Sequence, residues 1–334
     1  MNKERIAILG DGGWGTALAL VLSRKGMRPI LWGAFPQYIK ELKVTRENRK
    51  FLPGVTLPES IVLSSELEGA VNESDIIVIA IPTLFLRNVL EKLKKCSLDG
   101  KIVVSCAKGI ENNTLLTPSQ IIHTYLKDAH LTVLSGPSHA EEVARNIPTC
   151  VVITSEDKSI AEYVQSIFME ARFRVYTSSD VLGVELGGAL KNIIAIAAGI
   201  CDGLQFGSNT KAALLSRGLQ EIIRLGTALG AEVETFFGLS GMGDLVTTCI
   251  SPYGRNRAVG ERIARGEKLE DILHSMEMIA EGVYTTRSAY DLAKRYNIEM
   301  PITLEVYRVL YENKDPLQSI SDLMLRASKG EMAS

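Results

Sequence analysis

Cysteine and histidine are scarce in this chain. Its 334 residues include five cysteines, Cys96, Cys106, Cys150, Cys201 and Cys249, and four histidines. The cysteines are scattered, odd in number and form no C-x-x-C pair. That argues against a disulfide framework or zinc knuckle and fits a reducing compartment. The histidines have no paired spacing, so no metal site is expected. Net charge is slight: 37 Lys plus Arg against 39 Asp plus Glu leave −2. This balance gives no global pull toward nucleic acid or an anionic membrane. Long apolar runs are missing too. The most apolar stretch, Ile193 to Ile200, falls far short of the ~20 residues that span a bilayer. The N-terminus, Met1-Asn2-Lys3-Glu4-Arg5, enters an apolar run that ends at Gly10, too short and too early for a signal peptide. The expectation is a soluble cytoplasmic protein.

The chain is otherwise rich in core-forming residues. Hydrophobic residues make up 46% of it, which argues against disorder, and the length suggests about two domains. In the first half, short apolar runs alternate with amphipathic stretches. Strands are expected at Arg5–Leu9, Pro29–Trp32, Ile61–Leu63, Ile76–Ile81, Ile102–Ser105, Leu131–Leu134, Cys150–Ile153 and Phe173–Tyr176. Helical spacing intervenes at Trp14–Lys25, Leu84–Leu93 and Ile160–Phe168. Continuous apolar strands alternating with helices predict an α/β fold with a mostly parallel sheet covered on both faces. After Asp180 the pattern turns helical, at Ala189–Ile200, Ala212–Leu229, Arg257–Arg265, Ala289–Tyr296 and Leu304–Tyr311. The expected division is 1–180 and 181–334, within or just before a long connecting helix. No repeat or low-complexity segment is visible.

Gly10-Asp11-Gly12-Gly13-Trp14-Gly15 fits G-x-G-x-x-G between a strand and a helix, the context that gives the pattern meaning. Gly10 allows the tight turn, Gly12 the approach of a pyrophosphate, and Gly15 the packing of helix on strand. The helix N-terminus offers unpaired N–H groups and a positive dipole end. The loop alone would also serve as a plain tight turn, but its place in an alternating chain favours a dinucleotide. After the second strand, Trp32-Gly33-Ala34-Phe35 supplies neither the acid that suits NAD nor the base that suits a 2′-phosphate. Arg46, Arg49 and Lys50 follow in the next loop, and the sequence cannot place them. NAD and NADP both stay open, with a slight lean to NAD.

Lys191 is the sole cation between Leu186 and Ala198. A buried ammonium is costly unless paired, and burial lowers its pKa. A lysine tuned in this way can exchange a proton with a substrate oxygen near neutral pH. The competing reading is a lysine whose stem lies along the helix with its head in water. These residues alone leave the two readings level.

A series of blocks breaks the tie. Gly10-x-Gly12-x-Trp14-Gly15-Thr16-Ala17 resembles the signature of NAD(P)-dependent glycerol-3-phosphate dehydrogenases, the bacterial branch most closely. So do Leu52-Pro53-Gly54-Val55, Ala107-Lys108-Gly109-Ile110-Glu111 and Ser135-Gly136-Pro137-Ser138-His139-Ala140. Further along are Gly188-Ala189-Leu190-Lys191-Asn192, Gly241-x-Gly243-Asp244-Leu245 with Thr247-Thr248-Cys249, and Arg255-Asn256-Arg257. Glu281-Gly282 and Glu299-Met300-Pro301-Ile302-Thr303 complete the series. The blocks stand in the family's order and cover nearly the whole chain.

The resemblance implies interconversion of sn-glycerol 3-phosphate and dihydroxyacetone phosphate, supplying phospholipid synthesis. It implies a Rossmann-type NAD(P)-binding domain, an all-α substrate domain and a homodimer. By the family pattern Lys191 is the proton acceptor. Lys108, Gly136, Ser138, Asn192, Asp244, Thr248, Gly254, Arg255 and Asn256 line the substrate site. Gly10, Gly12, Gly13, Trp14, Gly15, Ala34, Lys108, Ala140, Arg255, Ile279 and Glu281 face the cofactor. Asp244 would pair with Lys191, and Arg255 with Asn256 would hold phosphate at a helix N-terminus. Four positions depart from the commoner pattern: Asp11 stands for Ala, Gly13 for Ser, Ala34 for His or Arg, and Gly254 for Ser. The acid in the loop is electrostatically awkward unless its carboxylate points away, and Ala34 weighs against NADP. His139 and Lys211 are read as non-catalytic. The rival readings are a related dehydrogenase acting on a 3-hydroxy acid or a ketopantoate-like substrate, and a redox sensor that binds NAD(H) without turnover.

Overall fold

The computed structural model describes residues 4–328, 330 and 331. Met1 to Lys3, part of the N-terminal reading above, lie outside the described residues, as does the extreme C-terminus. Eight strands form one sheet: β1 (Ile6–Leu9), β2 (Ile30–Trp32), β3 (Val62–Ser64), β4 (Ile76–Ile79), β5 (Ile102–Ser105), β6 (His130–Ser135), β7 (Thr149–Thr154) and β8 (Phe173–Ser178). Their order is β3-β2-β1-β4-β5-β6-β7-β8. Every neighbouring pair is parallel except β6 with β7. The expected mostly parallel sheet is therefore present. The chain leaves β1 toward β2 and β3 and returns to β4 on the other side of β1. That reversal opens a crevice at the carboxyl ends of β1 and β4.

The helices of this half are α1 (Gly13–Arg24), α2 (Pro36–Thr45), α3 (Leu67–Asn72), α4 (Thr83–Leu93), α5 (Pro118–Tyr125), α6 (Ala140–Ala144) and α7 (Lys158–Phe168). Strand β1 explains why its apolar run is continuous rather than alternating. Ile6 and Ile8 pack with Leu18 and Leu22 of α1, while Ala7 and Leu9 pack with Leu86 and Leu90 of α4. Both faces are dry, so both sets of side chains are apolar.

Beyond Ser178 the described residues hold helices only: α8 (Val181–Gly203), α9 (Ser208–Ala228), α10 (Val233–Phe237), a π turn (Leu239–Gly243), α11 (Asp244–Ile250), α12 (Arg255–Ala264), α13 (Leu269–Ser275), α14 (Glu281–Tyr296), α15 (Pro301–Tyr311) and α16 (Pro316–Met324). Asp180 caps α8, accepting from Gly183 N at 2.8 Å, and its other oxygen accepts from Glu232 N and Thr235 Oγ1. Helix α8 is the spine of this half. It is buried along nearly its whole length and meets α12 through glycines. A Cβ on Gly199 would fall 1.9 Å from Arg257 O, and one on Gly260 2.0 Å from Ile196 O. Large side chains at these crossings would push the helices apart.

The helix also corrects the sequence reading of its length. It runs 23 residues and is long and apolar enough, by length and composition, to cross a membrane. However, 89% of its apolar window is buried inside the protein, which is the pattern of a core helix. The expected start at Ala189 was eight residues late, because Gly187 and Gly188 lower helix propensity. Packing overrides that penalty. A Cβ on Gly187 would lie 2.7 Å from Ser240 O, and one on Gly188 2.8 Å from Ser135 Oγ. The two glycines let the π turn and the end of β6 close onto α8, one turn before Lys191.

Candidate active site

The glycine loop follows β1 as the spacing requires. Gly10 has φ +120°, and a Cβ there would meet Ala80 O, beyond β4, at 2.5 Å. A Cβ on Gly15 would lie 1.9 Å from Gly10 O. Both positions therefore exclude a side chain, while a Cβ on Gly12 would meet nothing within 4 Å. The outer side of the loop is open. Helix α1 has no side-chain cap and no acid in its first turn, so its N–H groups face that opening. Ala140 packs on the loop, since a Cβ on Gly13 would come within 3.4 Å of the Ala140 Cβ. Trp14 packs against the sheet core. The loop is braced by Asn48, whose Nδ2 donates to Asp11 O at 2.7 Å and to Thr16 Oγ1 at 2.8 Å. Sequence reasoning missed Asn48, because nothing local marks a contact made over 32 to 37 residues. These features fit a dinucleotide pyrophosphate.

Lys191 projects from the middle of α8 and is buried. Its ammonium donates to Asp244 Oδ1 and to Thr248 Oγ1, both at 2.6 Å. Thr248 lies one turn after Asp244 on α11, so one short helix supplies both acceptors. Lys108, on the loop after β5, donates to Asp244 Oδ2 at 2.8 Å and to Gly136 O at 3.0 Å. Ser138 donates to the same carbonyl at 2.8 Å. Burial pulls the Lys191 pKa down to about 8; Asp244 opposes that shift and Lys108 adds to it. Burial would raise the Asp244 carboxyl, but the two ammonium groups outweigh it and hold it below the usual range. The structure thus brings Lys108, Gly136, Ser138, Lys191, Asp244 and Thr248 into one cluster.

A second chain of contacts leads from it. Asn192 Nδ2 donates to Lys108 O at 3.2 Å. Asn256 Nδ2 donates to Asn192 Oδ1 at 2.9 Å, and Asn256 Oδ1 accepts from Gly282 N at 2.9 Å. Arg255 is the first residue of α12, with Gly254 at the cap and no side-chain cap. Its guanidinium donates to Ile279 O at 2.9 Å; the residue keeps an exposed face, while burial lowers the guanidinium pKa against the opposing charges of Glu281 and Glu141. Glu281 opens α14, is half-buried there, and accepts from Thr83 N at 2.7 Å. Burial pushes its carboxyl up to about 7, with the Thr83 N–H and Arg255 opposing. A helix N-terminus, a guanidinium and buried amides suit a phosphorylated ligand.

Not every expected residue joins these groups. Ala34 stands exposed just past β2, next to Gly33, which abuts Asp11 of the glycine loop. His139, set aside in the sequence reading, lies near the cluster: burial lowers its pKa, and the Lys191 charge adds to that. Its ring packs on Tyr253 at 5.8 Å between centroids. Lys211 pairs with Asp202 at 2.5 Å, and Arg257 shares that carboxylate. Thr83 went unread, although Pro82-Thr83 at the end of β4 is the kind of strand-end loop where such sites form. The π turn before Asp244 was also missed, since its glycines signal a break rather than a turn of helix. Among the described residues no group of three or more His, Cys, Asp or Glu could hold a metal ion.

Comparison with known proteins agrees with this geometry. Residues 5–161 match the model for the NAD-dependent glycerol-3-phosphate dehydrogenase N-terminus, and residues 180–321 match that for its C-terminus. A protein of Fusobacterium nucleatum named glycerol-3-phosphate dehydrogenase [NAD(P)+] is 46% identical over 332 residues, 99% of each chain. One of the same name from Thermoanaerobacter sp. is 49% identical over 328 residues, 98% of this chain and 99% of the other. A crystal structure of glycerol-3-phosphate dehydrogenase from Coxiella burnetii superposes with a TM-score of 0.93 at 38% identity, covering 97% of this chain and 99% of that one. The chain belongs to the NAD-dependent glycerol-3-phosphate dehydrogenase family.

Proposed function

We infer that this enzyme interconverts sn-glycerol 3-phosphate and dihydroxyacetone phosphate with NAD(P), and that Lys191 moves the proton. One observation carries the reading. The Lys191 ammonium has three N–H bonds, and Asp244 and Thr248 take two of them. The third is left for a substrate oxygen.

Oxidising a secondary alcohol removes the hydroxyl proton as hydride leaves carbon. When bound, the nicotinamide supplies the hydride acceptor or donor. With its pKa near 8, Lys191 has a substantial neutral fraction at mildly alkaline pH and takes the hydroxyl proton. In the reverse direction the ammonium stabilises the developing alkoxide and then protonates it. Lys108 adds positive charge at the same oxygen. Asp244 orients both amines, and Thr248, beside it on α11, helps fix the Lys191 head. Arg255, Asn256 and the α12 N-terminus receive the substrate phosphate. Ser138 and Gly136 close the wall beside Lys108. Gly254 brings no hydroxyl, and its backbone N–H already donates to Ser251 O at 3.3 Å, so the phosphate falls to the N–H groups that follow it on α12. Residues 1–180 hold the cofactor and residues 181–334 complete the substrate site.

The test follows nicotinamide absorbance on adding dihydroxyacetone phosphate or unphosphorylated dihydroxyacetone. Rapid oxidation of NADH or NADPH with the phosphate ester alone is the expected result. Equal activity on both compounds overturns the phosphate assignment. Stoichiometric cofactor binding without turnover of either overturns the enzymatic one. The wider reading is a cytoplasmic homodimer supplying glycerol 3-phosphate for phospholipid synthesis. Sedimentation at two concentrations and cell fractionation check its first two parts. Glycerol auxotrophy of a deletion strain checks the third.

A further inference from the structure

Asp11 is the one acid in the glycine loop, and among the described residues no side chain hydrogen-bonds its Oδ2. The residue is 8% exposed, and its Oδ2 is buried without a hydrogen-bond donor among the described residues. Its backbone carbonyl braces the loop through Asn48 and Thr16, a service any residue would give. Its carboxylate lies against the end of β2. A Cβ on Gly33 would fall 2.3 Å from Asp11 Oδ2 and 2.6 Å from Cγ. Gly33 is thus the residue that lets the carboxylate occupy this corner. Burial raises the Asp11 pKa, with its own backbone N–H and Lys50 opposing. An orphaned buried carboxylate is costly and calls for a partner that the chain does not supply.

The surroundings narrow what that partner is. In dinucleotide-binding folds of this type the adenosine ribose sits at the end of the second strand. There an acid accepts from the ribose 2′-hydroxyl, or a cation takes the 2′-phosphate of NADP. Here the strand end carries neither. The three cations of the following loop are engaged elsewhere. Arg46 donates to Leu57 O and Ile61 O, both at 3.1 Å. Arg49 pairs with Glu47 and Lys50 with Glu277, each at 2.9 Å.

We propose that Asp11 sets the cofactor preference of this enzyme. From the glycine loop it supplies the ribose-binding carboxylate that β2 lacks, and its charge disfavours the 2′-phosphate of NADP. The inference rests on the dinucleotide reading of the loop, and the experiment separates the two. The full-length wild type, Asp11→Ala and Asp11→Asn are titrated with NADH and with NADPH by nicotinamide fluorescence, without substrate. Melting temperatures are taken in parallel, and the isosteric Asn variant guards against misfolding by the smaller side chain. The wild type is expected to bind NADH at least ~10-fold tighter than NADPH, since like charges placed together are costly. Each variant should narrow that ratio about tenfold, chiefly by binding NADPH better. An unchanged ratio in variants that melt like wild type overturns the proposal, as does a wild type without preference. Binding of neither nucleotide by wild type overturns the dinucleotide reading itself.

Discussion

Lys191 and Lys108 are held by opposite oxygens of one carboxylate. Asp244 Oδ1 accepts from Lys191 at 2.6 Å and Oδ2 accepts from Lys108 at 2.8 Å. Two ammonium groups so close would repel, and Asp244 offsets that repulsion. The bridge also spaces them, one for the proton and one for added field.

Replacing Lys191 with Ala removes the proton carrier and leaves the glycine loop intact. Turnover should fall at least ~10²-fold while NADH binding, measured by fluorescence titration, stays near wild type. Near-normal turnover would remove Lys191 from the mechanism.

The pH profile follows from the same amine. Alcohol oxidation needs neutral Lys191, so its kcat/KM should rise with pH and level off above about 8. Carbonyl reduction needs the ammonium, and its rate should decline over the same range. Asp244 raises the Lys191 pKa, so Asp244→Asn should move both limbs to lower pH as well as slow the reaction. Profiles recorded in both directions decide this, and a limb that stays put or shifts upward contradicts the assignment.

Arg255 keeps an exposed face and makes one hydrogen bond, to Ile279 O, so its removal should leave the fold standing, which a melting curve checks. Arg255→Ala should raise KM for dihydroxyacetone phosphate, for the cofactor, or for both, by about tenfold or more, and Arg255→Lys should recover part of it. Initial rates with each reactant varied in turn make the measurement. Unmoved KM values would place the phosphate elsewhere.

A fourth expectation concerns stability. Glu221 on α9 is buried and caps α15 from outside, accepting from Ile302 N at 2.6 Å and from Thr303 N and Oγ1 at 3.0 Å. Glu221→Ala strands those donors and should cost about 2 kcal/mol or more in urea unfolding. Burial raises its pKa from 4.5 to about 7, so the folded state binds the proton more tightly. Its contribution is therefore full below pH 4.5 and declines as pH rises toward 7. Glu221→Gln lacks that decline, so the stability of wild type relative to the Gln variant should fall between pH 5 and 7.5. A pH-independent difference would show that Glu221 does not titrate there.

The strands were legible because burial on both faces makes their sequences continuously apolar. Ile76–Ile79 and Ile102–Ser105 needed only that signal. The short helices were not, since α10 and α11 flank a glycine-rich π turn and neither spans enough turns to show a stripe. In the candidate site, Lys191 stood out as a lone cation in an apolar helix. The Lys191–Asp244 pairing was expected on chemical grounds, but the contact of Asp244 with Lys108 across 136 residues was not. Asp11 was noticed as an awkward charge, and only the fold reveals that it lies on Gly33. Pairings between distant segments leave no periodicity, so they become visible only after the chain has folded.

Helix α8 carries Lys191 and Asn192 at the centre of the helical half, where nearly every residue is enclosed. No mobile flap bears the amine. Heat inactivation and loss of helical circular dichroism should therefore follow one curve, with no temperature at which a cold-shaped but idle enzyme accumulates.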